Sequence, residues 1–126
     1  MPSLLNTENS IEMYRGTSKT FILEVTDEAG DVVNLTGCTI YFTVKERLEE
    51  VNPLIQKKSS DAMEIDIYDP TGGKAKIYLN PADTQALALK PRTFDVWVVL
   101  SSGKRYVVIP PSDFVLKPSV TVIPVS

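Results

Sequence analysis

The chain contains no histidine, and this absence excludes more chemistry than any other feature of its 126 residues. Histidine is the commonest general base and the commonest neutral metal ligand. Without it, no serine–histidine or cysteine–histidine pair can form within one chain. Cysteine is nearly absent too. Cys38 stands alone, so no intrachain disulfide can staple the fold. At the head of an apolar strand, Cys38 reads as a small core hydrophobe rather than a reactive thiol. Long apolar runs are also missing. The longest, Val96 to Leu100, is too short to span a bilayer. The first residues carry neither a basic stretch nor an apolar core, so we expect no signal peptide and a protein made in the cytoplasm. A basic stripe is lacking as well. The net charge is −3 and the pI about 4.9, which argues against a nucleic-acid surface.

What is present is alternation with a period of two, the mark of half-buried strands. In Thr20–Thr26 the side chains of Phe21, Leu23 and Val25 share one face. In Cys38–Lys45 the apolar face is Ile40, Phe42 and Val44. Both runs are rich in the β-branched and aromatic residues that suit a pleated surface. Leu54–Lys58 reads as a short edge strand whose lysines discourage edge-to-edge pairing. Met63–Tyr68 and Lys74–Leu79 flank Asp69-Pro70-Thr71-Gly72-Gly73, a turn sequence, and so predict a hairpin. Its exposed face should set Glu64 and Asp66 against Lys74 and Lys76.

One helical signal interrupts the strands. Asn80 can cap, Pro81 suits the first helical position and Asp83 falls in the first turn. With Pro91 close behind, residues 81–88 should form one or two turns across an end of the domain. Thr93–Leu100 is the most hydrophobic strand and should be central. Arg105–Ile109 returns after Ser101–Lys104. Pro110 and Pro111 should then interrupt the ladder, before strands at Asp113–Leu116 and Val120–Ile123. The sum is an all-β antiparallel sandwich of the immunoglobulin-like type, with about seven to nine strands. Residues 1–10 read as an N-terminal arm and residues 11–126 as one domain.

No motif carries catalysis. Ser18-Lys19 and Ser102-Gly103-Lys104 read as loop ends. The carboxylates near Asp27–Asp31 and Asp61–Asp69 lack the spacing of a calcium loop and read as solvated turns and ion pairs. We expect no metal, no cofactor and no enzyme. The candidate partner contacts are aromatic: Tyr41, Tyr78, Trp97 and Tyr106. For Trp97 the expectation is a core position in a strand buried on both faces. The rival reading is a partner-facing anchor.

The order of short motifs carries a resemblance. Arg15-Gly16-Thr17 opens it, followed by Asn34-Leu35-Thr36-Gly37 and the strand Cys38–Val44. Asp69–Ala75, the helix start Asn80–Thr84 and Phe94-Asp95-Val96-Trp97-Val98 follow. Over residues 11–122 this resembles the immunoglobulin-like N-terminal domain of phage baseplate upper proteins and related small tailed-phage virion proteins. Asn34 stands where that pattern has an acidic residue, and Pro110-Pro111 where it has a glycine-containing bulge. The resemblance implies a non-enzymatic virion protein of the tail, baseplate, neck or capsid surface. It would work by docking to other phage structural proteins in a symmetric, multi-copy assembly, without nucleic acid or membrane. The alternative is a β-sandwich module that binds carbohydrate or a cell surface, which needs an exposed aromatic platform.

Overall fold

A computed structural model describes residues 10–118 as two β-sheets packed face to face. The strands are β1 (Ser10–Tyr14), β2 (Lys19–Glu24), β3 (Thr39–Lys45), β4 (Ile55–Lys58), β5 (Ile65–Asp69), β6 (Lys74–Leu79), β7 (Arg92–Val99) and β8 (Arg105–Lys117). A single helical turn, α1 (Pro81–Thr84), lies between β6 and β7. One sheet has the order β1-β8-β7-β3-β4 and the other β2-β6-β5. The chain crosses between sheets after β1, β2, β4 and β6. That is the strand order of an immunoglobulin-like sandwich, with one added strand on each side of the larger sheet.

The alternation reads directly onto the core. Phe21, Leu23, Ile40, Phe42, Val44, Ile77, Phe94, Val96 and Val98 are all buried between the sheets. Phe94 is the hub. Its ring lies 5.5 Å from Phe42 and 6.5 Å from both Phe21 and Phe114, centroid to centroid. The two 6.5 Å contacts are edge-to-face, the arrangement that ring quadrupoles favour.

The turn motifs are ties between elements. Leu35 is buried, its N–H bonds to Pro70 O at 2.8 Å, and the Asn34 carboxamide takes the Thr36 N–H. The Gly16 N–H donates to Thr84 Oγ1 at 2.8 Å, and Arg15 donates to Leu87 O. The Arg15–Thr17 turn and α1 thus hold each other across one end of the sandwich. In α1 the Asp83 carboxylate takes the Asn80 N–H, as a residue at the third helical position should.

Several expectations need correction. The helical segment is Pro81–Thr84 alone, not residues 81–88. The sandwich is not wholly antiparallel, because β1 pairs with β8 in parallel from Ser10↔Asp113 to Tyr14↔Lys117. Ser10 therefore belongs to a strand rather than to an arm. Pro110 and Pro111 do interrupt the ladder to β7, where neither has a partner, but they do not end the strand. β8 runs through them and joins two predicted strands into one. It does so by two shifts of register against β7, which place Val108 and Ile109 both in the core. A bulge of this kind accommodates residues without a ladder N–H. In the β5–β6 hairpin, Asp66 does face Lys76. Lys74, however, faces Asp69 across a second bulge rather than facing Glu64. Residues 1–9 and the expected strand Val120–Ile123 lie outside the described residues.

Candidate functional site

The outer face of the five-stranded sheet carries an open depression of about 540 Å³. Residues at alternate positions of β3 and β7 form its floor. The register places Tyr41 opposite Trp97 and Thr43 opposite Asp95, while Gln56 of β4 lies beside Thr43. Val51 and Pro53, from the segment between β3 and β4, make one wall. Lys45 and Arg105 stand near opposite ends, since they border the Thr93 and Val99 ends of β7.

Trp97 is 38% exposed, so the expectation that it sits in a doubly buried strand is wrong. β7 alternates cleanly. Phe94, Val96 and Val98 face inward, whereas Thr93, Asp95, Trp97 and Val99 face outward. No layer covers the outer side among the described residues. The run from Val96 to Val99 looks doubly buried only because its outward positions are also apolar.

Trp97 Nε1 donates to Asp95 Oδ2 at 3.1 Å, two residues back on the same face. The indole therefore lies along the strand instead of standing away from it. Burial pushes the Asp95 carboxyl above the ordinary carboxylate range, and the indole N–H and the Lys45 charge only partly offset this. Desolvation of the charged form dominates.

The four aromatic candidates separate. Tyr41 and Trp97 are cross-strand neighbours in the depression. Tyr78 is on β6 opposite Thr20, on the outer side of the other sheet. Tyr106 pairs with Val98 and packs against the core. Asp95, Gln56 and Arg105 were not singled out as site residues. The outward alternation of Asp95 with Trp97 was the signal available for one of them. The other two reach the site only through pairing between strands.

The depression holds one carboxylate, whereas glycoside hydrolysis generally uses two. Among the described residues, no group of three or more Cys, Asp or Glu side chains is placed to hold a metal ion. No helix among them is long and apolar enough to cross a membrane. No protein-family model matches the chain, and no curated protein matches its sequence.

Proposed function

We propose that this is a non-enzymatic structural protein of a tailed-phage virion, and that the outer face of its five-stranded sheet docks to other virion proteins. One observation carries the reading: the chain's single tryptophan is exposed beside Tyr41 on a sheet face that no other layer covers among the described residues. Tryptophan and tyrosine are the residues around which interface energy concentrates. The motif series supports the setting. Its turns fold as two bonded pairs at opposite ends of the sandwich, Arg15–Thr17 with α1 and Asn34–Gly37 with the β5–β6 turn.

Repetition in a symmetric particle multiplies a modest contact into stable attachment. The test is to locate the chain in intact tailed-phage particles assembled with a gold-labelled copy. A fixed station on the particle supports the reading, and recovery of the label only in the particle-free fraction refutes it. A Trp97→Ala copy should lose its place on the particle while keeping its fold.

A further inference from the structure

The depression has features that a purely protein-docking face does not require. Charged residues are depleted at the centres of protein interfaces, because burying them without a partner is costly. Here a half-buried carboxylate, Asp95, lies on the floor beside the tryptophan. Its Oδ2 is taken by the indole N–H. Among the described residues its Oδ1 accepts no protein hydrogen bond. Gln56 Nε2 makes a long bond of 3.4 Å to Thr43 Oγ1, and among the described residues its Oε1 has no protein donor. The Arg105 guanidinium, at the Val99 end, makes no protein hydrogen bond among the described residues.

These groups are two acceptors and a five-donor fork arranged about a flat aromatic surface. The indole N–H is directed along β7 to Asp95, and the side chain stays 38% exposed within the depression, so part of the ring is open to a ligand. A ligand matching this arrangement must offer a flat, weakly polar C–H face at its centre. It must also carry several groups, each both donor and acceptor, around its edge. An acidic peptide could pair its carboxylates with Lys45 and Arg105 at the ends, but its carboxylates offer no donors to Asp95 and Gln56 on the floor. An apolar protein patch would leave Asp95 and Gln56 unpaired and desolvated, which costs about 1–3 kcal/mol for each group. A pyranose ring meets both conditions, since its axial C–H bonds make one apolar face and its hydroxyls ring the rim. The volume, about 540 Å³, lies in the range of small-ligand sites.

We propose that the depression between β3, β4 and β7 is a saccharide-binding site. A pyranose ring stacks on Trp97, and its hydroxyls donate to Asp95 and Gln56 and accept from Arg105. This goes beyond the docking reading and does not depend on it. The glycan can belong to a cell-surface polysaccharide or to a glycosylated protein, because both present the same chemistry.

The test begins with the whole purified chain on an array of neutral oligosaccharides. The array carries bacterial surface polysaccharide fragments and protein N- and O-glycans, so the hits identify the source. Hits are then titrated by calorimetry and, for the unmodified chain, by the fluorescence of its one tryptophan. We expect saturable binding with a shift in that fluorescence. Trp97→Ala and Asp95→Ala should each weaken calorimetric binding about tenfold or more, at unchanged melting temperature or with a loss too small to populate unfolded chain. Tyr78→Ala, on the opposite sheet, should leave it unchanged. The inference is overturned by an empty array, or by binding that survives both Trp97→Ala and Asp95→Ala. Placing Asp95→Ala on the labelled particle separates the two readings. Lost glycan binding with retained station leaves docking intact, and lost station with no glycan hit refutes the saccharide site alone.

Discussion

At the scale of single residues, the burial of Asp95 has a defined consequence for stability. Its carboxyl titrates above the ordinary range because burial disfavours the charged form. The native state therefore holds this proton at a pH where the unfolded chain has released it. For this group, stability is greatest at low pH and falls as pH rises from about 4, the unfolded value, through the raised native value. Asp95→Asn should remove that fall and be the more stable protein at pH 7. Urea midpoints of the two proteins across pH 3–7 check this, and a difference that is constant with pH would refute it. Gly73 gives a second case. It adopts φ +68°, and a Cβ there would lie 2.8 Å from Val25 O and 2.9 Å from Val33 O. Val25 O cannot yield easily, because the Gly73 carbonyl accepts the Val25 N–H and Val25 O itself accepts the Val33 N–H. Gly73→Ala should cost about 2–3 kcal/mol in denaturant unfolding, from overpacking added to backbone strain. Gly30→Ala, in an open turn, should cost less because only the positive φ opposes it.

At the scale of elements, edge strand β4 is managed by its lysines in two ways. Lys58 faces outward, as expected of a lysine guarding an edge. Lys57 points inward and is buried, bonded at 2.8 Å to Asp83 of α1. An inward charge also protects a sheet edge, because another strand cannot pair there without stranding it. The same bond ties the larger sheet to the helical turn. Asp83→Asn leaves the Lys57 ammonium buried without its counter-ion, and should cost about 3 kcal/mol. If thermal and urea unfolding of Asp83→Asn match the parent, the pair contributes nothing net. Arg92 performs a comparable task at the start of β7. Its buried guanidinium donates to Glu46 at 3.1 Å and to Ala88 O and Lys90 O at 2.7 and 3.1 Å. No sequence pattern marks that clamp, since Arg92 opens β7 and Glu46 directly follows β3, and the two meet only through the β3–β7 pairing.

At the scale of the whole molecule, one hydrophobic cluster joins both sheets, with Phe94 packed against rings from β2, β3 and β8. Neither sheet can keep its inner face covered if the other detaches. Unfolding should therefore be a single transition, with far-ultraviolet circular dichroism and tryptophan fluorescence coinciding. A fluorescence change that precedes loss of β-structure would show that β7 loosens separately. Phe94→Ala should cost about 3–5 kcal/mol, because it empties the centre of that cluster.

Period-two alternation by itself determined most of the strands, the inner face of β2 and β3, and the all-β class, because neighbouring side chains on a strand must point to opposite sides. Turn and cap residues placed the β5–β6 hairpin and the start of α1 for equally local reasons. Tertiary structure decided what depends on which strand lies beside which. It set β1 parallel to β8, carried β8 through two prolines by a bulge, and turned Lys57 inward to Asp83. It also put Trp97 on an open face, beside Tyr41 and apart from Tyr78 and Tyr106. Local spacing sorts residues between two faces, but only the packing of the sheets decides which face is covered and which neighbours share it.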